Sequence, residues 1–263
     1  MIRTPSILKL MTHTMTPSAE LVALLTALDA IESSALTSCP GWTAHHAAAH
    51  IAGNYEEVRR HIEAFAAGHP LERTQSWDER EYALRQLDHS ALVRRIDDQA
   101  AATAAVITDV LAAQPDAELT WTKRTVPVAG FLAHMRSEDA LHRWDLVGDD
   151  DTSLELLSQQ DLLEHAVNFI GRPLLQRGLR AGVGETPFSA RVRSPGRDDL
   201  VVDSVGGQAR LSIDAPQGEA TIEGDPAARL LLLWGRKPSP FFRLRTGRDG
   251  ESADRVQTLL AGY

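Results

Sequence analysis

His134, Glu138 and His142 follow one another at i, i+4 and i+8. On a helix that spacing lays all three along one face. Phe131, Met135, Leu141 and Asp145 flank the stripe, so the face is at least partly buried. A buried carboxylate needs a partner or a cation. Glu138 and His142, one turn apart, can direct donor atoms at a single metal ion, and helical bundles build metal sites from carboxylates and histidines on facing helices. His134 reads either as a further ligand or as a neighbour that orients one.

A third donor must come from elsewhere in the chain. His50 sits among small apolar residues in GWTAHHAAAHIAGNYEEVRRH, and Asn54, Glu57 and His61 continue its face. Two imidazoles and one carboxylate suit Zn²⁺, and three protein ligands with an open position is the catalytic arrangement. The same donors also accept Fe²⁺ or Ni²⁺. Other readings stay open. A Glu/His pair at i, i+4 is a common surface contact, and His46 with His50 forms a competing two-histidine pair. Cys39 lies in a Cys-Pro-Gly turn with no base tied to it and reads as structural. Trp42 and Trp144 read as core or pocket-wall aromatics, and Arg143 and Asp145 as partners of their neighbours. Arg236, delivered by the apolar run LLLLWGR, is either a functional cation or a solvated end favoured by the helix dipole.

The elements that must position these residues are mostly helical up to about residue 180. Thr16-Pro17 opens a first helix, with Leu21, Leu24, Leu25, Leu28 and Ile31 at helical spacing. Thr43 is the expected N-cap of a second helix ending near Gly68. A polar loop follows over 69–89, and Ser90 is the expected cap of a third helix reaching Ala113. A fourth runs from after Pro127 to Val147, stopped by Gly148. Residues 158–179 read as one more helix, kinked near Gly171-Arg172-Pro173. Such helices favour an up-down bundle. Beyond residue 184, FSARVRS, LVVDSV, QARLSID and EATIEG alternate like strands between turn-forming residues. DPAARLLLLWGR and ESADRVQTLLAGY then read as helices. The texture changes at 180–186, where a domain boundary is expected.

Composition bounds the function. The 263 residues can bury a sizeable core, and a net charge of −9 argues against a nucleic-acid or anionic-membrane surface. The single cysteine, Cys39, excludes an intrachain disulfide framework. No apolar run approaches a membrane span, and the N-terminus lacks the apolar region and cleavage site of a signal peptide, so a cytoplasmic protein is expected. Of 27 basic residues only Lys9, Lys123 and Lys237 are lysine, a bias of high-GC bacterial genomes.

PGWTAHHAAAHIAG followed much later by HMRSEDALHRWDLVG resembles the mycothiol-dependent maleylpyruvate isomerase family, within the DinB-like superfamily of metal-binding helical bundles. The resemblance runs from about residue 16 to the C-terminal helix. The family pattern falls on Trp42, His50, Glu138, His142, Trp144 and Asp145. It implies His50, Glu138 and His142 as ligands of a divalent metal (Zn²⁺ first, with Fe²⁺ or Ni²⁺ as alternatives) and Trp42 and Trp144 beside the cofactor. Gly235-Arg236 is similar to the family arginine implicated in activity, which would hold a substrate carboxylate or a polar group of the thiol; His134, outside the pattern, would orient the site. His45 and His46 also lie outside it.

The implied fold is an N-terminal DinB-like up-down helical bundle over 16–182, with a small sterol-carrier-like α+β domain over 183–263. The implied function is a metal-dependent actinobacterial enzyme that activates mycothiol as a thiolate, for transfer to or reversible addition to an electrophilic small molecule. Maleylpyruvate isomerase proper, converting its substrate to fumarylpyruvate, and a non-catalytic metal- or thiol-binding stress protein are the alternatives. The expected partners are mycothiol and the electrophile, without nucleic acid or membrane, in a monomer or homodimer.

Overall fold

A computed structural model describes residues 16–236, 243–247 and 249–260. The reading of the N-terminus as leaderless, and the last residues of the final helix, lie outside the described residues. Helix α1 (Ala19–Ala30) starts two residues later than Pro17 suggested, because the Ser18 hydroxyl accepts the Leu21 N–H at 3.1 Å and caps it. Helix α2 (Ala44–Ala66) is capped by Thr43 as expected. Within the stretch that read as a polar loop, α3 (Trp77–Glu81) forms on a capping box in which Ser76 and Glu79 satisfy each other's backbone N–H groups. Helix α4 (His89–Ala113) has Asp88, not Ser90, at its N-cap, and Ser90 lies within its first turn.

A short hairpin, β1 (Glu118–Trp121) and β2 (Arg124–Pro127), precedes α5 (Gly130–Val147), which ends at Gly148. Helices α1, α2, α4 and α5 pack on one another as a four-helix bundle. Leu24, Ile51, Ile62, Leu92, Ile96 and Leu141 are wholly buried between them. The single kinked helix expected over 158–179 is instead four pieces. They are α7 (Gln160–Glu164), a π-turn over His165–Ile170, a 3₁₀ turn over Arg172–Leu175 and α8 (Gln176–Arg180). The break falls at Gly171, whose φ of +58° suits glycine. Helix α6 (Asp151–Leu157) links this region to α5.

The chain then becomes a five-stranded sheet of β3 (Phe188–Arg193), β4 (Asp199–Val205), β5 (Gln208–Asp214), β6 (Ile222–Gly224) and β7 (Leu244–Thr246). Their order is β5-β4-β3-β6-β7, antiparallel except for the parallel pair β3–β6. Helix α9 (Pro226–Leu233) opens with Asp225 accepting the Ala228 N–H at 2.9 Å. Helix α10 (Gly250–Leu259) packs on β3 and α8. Leu230, Leu231 and Leu233 of α9 are buried, and the helix packs against α6. Its C-terminal end therefore delivers Arg236 to the bundle. The fold is thus a helical N-terminal part with a C-terminal α+β part, as the residues implied. No helix among the described residues is long and apolar enough to cross a membrane.

Candidate metal centre

Helix α2 supplies His50 and α5 supplies Glu138 and His142, and the packing of the bundle brings the three together although 88 residues separate His50 from Glu138. One donor atom from each lies within 4.8 Å of the other two, and all three residues are buried. His50 Nε2 and His142 Nε2 are each 3.6 Å from Glu138 Oε2. Ligands on a tetrahedral ion with bonds of about 2.0–2.1 Å stand roughly 3.4 Å apart, so these donors are spaced to share one cation.

The far side of each imidazole is held. His50 Nδ1 is 2.8 Å from Glu81 Oε1, and His142 Nδ1 faces Asp145 Oδ2 at 3.0 Å. For His50 the carboxylate hydrogen-bonded to Nδ1 fixes the tautomer that leaves Nε2 as the donor, the usual support of a metal-binding histidine. Asp145 stands behind His142 as an ion-pair partner without hydrogen-bond alignment. Both carboxylates are braced in turn. Arg85 Nη2 donates to Glu81 Oε2 at 2.7 Å, and Arg236 places Nη2 2.9 Å from Asp145 Oδ2 and Nε 3.3 Å from Oδ1. Arg80 Nη1 donates to Glu57 Oε2 at 2.9 Å, and its Nη2 lies 3.3 Å from Glu81 Oε1. Gly53 makes room for it: a Cβ there would stand 3.0 Å from Arg80 Cγ.

The electrostatics suit a cation. Burial pushes Glu138 up, but hydrogen bonds from His142 and His50 outweigh it and hold the carboxyl well below its ordinary range. Burial lowers His142, yet Asp145, Cys39 and Glu138 lift it well above an ordinary histidine. Positive charge is thus favoured among the donors. Next to Glu138, Asp139 is fully buried and accepts the Tyr55 hydroxyl at 2.7 Å. Burial pushes its pKa up to about 8, so at neutral pH Glu138 is the carboxylate that carries the charge. Two neutral imidazoles and one carboxylate fit a divalent ion and leave a net charge near +1.

The other expected residues divide. Trp42 stacks on His142, with ring centroids 5.9 Å apart and planes 8° from parallel, and is 5.0 Å from the His50 ring. Trp144 is buried and donates from Nε1 to Asp149 Oδ1 at 2.7 Å. Arg236 borders the same cavity, but with two of its nitrogens on Asp145 and Nη1 donating to the Trp234 carbonyl at 3.1 Å it acts as a brace rather than a free anion receptor. His134 lies one turn from Glu138, with Nδ1 3.3 Å from His165 Nε2. Burial keeps both of these histidines toward the neutral form, His165 down to about 2. His134 thus pairs with His165 rather than with a candidate ligand.

The competing His46–His50 pair is not assembled. His46 Nδ1 accepts the Thr43 N–H at 3.2 Å and serves the helix cap, while His45 Nε2 sits 3.1 Å from the Arg85 carbonyl. Cys39, read as merely structural, is part of the site: its thiol lies 3.2 Å from Asp145 Oδ2 and 3.8 Å from Arg236 Nη2. Cys39, His142 and Asp145 also converge as a second set of donors. Arg236 already neutralises Asp145 there, which makes this set the support of the first. Sequence reading missed Glu81 altogether. The Ser76/Glu79 box that builds its helix was the available signal.

These donors border a cavity of about 1420 Å³ that also reaches Trp77, Trp121 and Trp234. Small-molecule sites enclose roughly 300–1,000 Å³, so this cleft is larger than a single such site.

Comparison with known proteins places the chain. The family model described as the mycothiol maleylpyruvate isomerase N-terminal domain matches residues 16–147. No curated protein matches the chain. Among solved structures, a mycothiol-dependent maleylpyruvate isomerase is similar over 84% of this chain and 86% of its own, with 15% identity and a TM-score of 0.56. A histidine-to-alanine mutant of the mycothiol-dependent maleylpyruvate isomerase is similar over 83% and 85%, with 15% identity and a TM-score of 0.59. At that identity the likeness speaks for the fold. With the family model covering half its length, the chain belongs to the mycothiol maleylpyruvate isomerase N-terminal domain family.

Proposed function

We propose that the protein is a metal-dependent enzyme that activates mycothiol for transfer to, or reversible addition to, an electrophilic small molecule. The observation that carries this reading is the convergence of His50, Glu138 and His142 on one point, with both imidazoles anchored from behind by carboxylates. A divalent cation held there supplies one thing above all: it favours the deprotonated form of a coordinating thiol at neutral pH. The likeness in fold to mycothiol-dependent maleylpyruvate isomerases supports mycothiol as that thiol.

The chain's own residues do the rest. Glu81 holds His50 in the donating tautomer, Asp145 backs His142 with its charge, and Arg236 holds Asp145. Trp42 covers the outer face of His142 and, with Trp77, walls the approach to His50. His134, neutral and on the cavity wall, is placed to pass a proton to or from a molecule bound beside Glu138. No side-chain nucleophile is required. The site fits S-transfer and cis–trans isomerisation equally in its chemistry, since both begin with a thiolate attacking an unsaturated or electrophilic carbon. Zn²⁺ suits the donor set best, and Fe²⁺ and Ni²⁺ share it.

The test is turnover of an electrophile panel, maleylpyruvate included, with and without mycothiol on metal-loaded protein. Turnover that needs both metal and thiol is expected. Equal rates without thiol would remove the proposal.

A further inference from the structure

The cavity that contains the candidate metal centre is also lined by several cations, in a chain of net charge −9. Lys123 stands at the tip of the β1–β2 hairpin, whose two turn residues, Thr122 and Lys123, take φ of +48° and +65°. Arg172 and Arg177 come from the broken segment after Gly171. Arg124 ties these two pieces together: its Nη1 donates to the carbonyls of Phe169 and Ile170, both at 2.7 Å. Trp121 completes the joint, packing 5.7 Å from the Phe169 ring and 5.2 Å from His134.

Lys123, Arg172 and Arg177 all border the cavity that contains the metal centre. None of the three has an ion-pair partner among the described residues. The acids on the same lining are engaged elsewhere: Glu57 with Arg80, Asp149 with Arg243, and Glu138 with the two histidines. Arg236 and Arg80 are engaged too, leaving these three as the cations available to a ligand. The joint lies beside His134, which stands one helical turn, about 6 Å along α5, from Glu138.

We propose that Lys123, Arg172 and Arg177 form an anion-binding subsite that takes a carboxylate or phosphate group at the far end of the electrophilic substrate. Recognition of the substrate's charge then belongs to this wall, and Arg236 remains the internal partner of Asp145. Assigning the anion to the substrate rests on the reading of the metal centre as the reacting site.

The experiment is calorimetric titration of the metal-loaded protein, without thiol and at low ionic strength, using succinate and inorganic phosphate as probes. Binding of at least one probe is expected, weakened about ten-fold or more in the Lys123→Ala/Arg172→Ala/Arg177→Ala variant. Those side chains are exposed, so folding and metal content should be retained. Preference for succinate would identify a carboxylate and preference for phosphate a phosphoryl group. Absence of binding by both probes, or binding unchanged in the triple variant, overturns the proposal. So does binding that is lost in Arg236→Gln but kept in the triple variant. Because no thiol is present, failure here leaves the thiol reading intact, and failure of the thiol reading leaves the heat of anion binding in place.

Discussion

Replacing Glu81 with glutamine keeps the shape of the side chain that faces His50 Nδ1 but removes its charge. The tautomer and orientation of His50 are then less well held. Loss of such a support typically lowers metal affinity about 10–100-fold, and chelator competition on Glu81→Gln is expected to show a drop in that range. Affinity unchanged from the parent would mean that Glu81 does not support a ligand. His46→Ala makes the opposite test. It is expected to keep full metal stoichiometry while losing about 1 kcal/mol of stability through the cap at Thr43, read by denaturant unfolding. Residue types and helical spacing made Glu138 and His142 legible in the sequence. Glu81 was not, because it lies 31 residues from His50, and the Ser76/Glu79 box marks its helix but not which face turns inward. Cys39 likewise meets Asp145 across 106 residues, a proximity that only the folded bundle creates.

The short helix α3 shows how an element of five residues governs a site on another helix. Ser76→Ala removes its side-chain cap and is expected to destabilise the segment by about 1 kcal/mol. Because Glu81 sits at its end, metal affinity should fall as well, and a cap mutant with unaltered metal binding would separate the two. In the sheet, Asp199 is wholly buried between Arg191 and Arg193. Burial pushes its carboxyl up, but the Arg193 hydrogen bonds and charge, joined by Arg191, hold it below the ordinary range. A carboxylate lowered in the folded state contributes stability that is complete above its unfolded pKa of about 3.9 and is lost as pH falls toward the folded value. The melting temperature should therefore drop below pH 4, and Asp199→Asn should lower it at neutral pH while flattening that acid limb. An unchanged acid limb would count against this role. Strands β3 to β5 were legible from alternation and turn residues. The β1–β2 hairpin was not, since its turn is built from Thr122 and Lys123 rather than the glycine or asparagine that usually takes positive φ. The π-turn over His165–Ile170 escaped for a related reason: its residues keep a helical pattern while its backbone departs from one.

At the scale of the molecule, the two regions separated in the sequence meet at the site. Arg236 comes from beyond α9 yet braces Asp145 on α5, and β5 packs on the segment around Ile170. One contiguous apolar core runs through both. We propose 16–182 and 183–263 as parts of one cooperative unit; a chain ended at residue 182 would expose the surface that α9 covers and is expected to aggregate. A soluble truncated chain with a single sharp unfolding transition would instead make the first part an independent domain. The change from helix to sheet was legible near residue 184 because apolar periodicity shifts there, whereas the brace across the joint depends on three-dimensional packing that no periodicity encodes. The central claim concerns thiol on metal, and the direct measurement is the visible spectrum of the Co²⁺-substituted protein titrated with mycothiol, beside His142→Ala. A saturable sulfur-to-cobalt charge-transfer band in the parent, absent in the variant, is the expected result. Cobalt ligand-field bands that do not respond to mycothiol would contradict it.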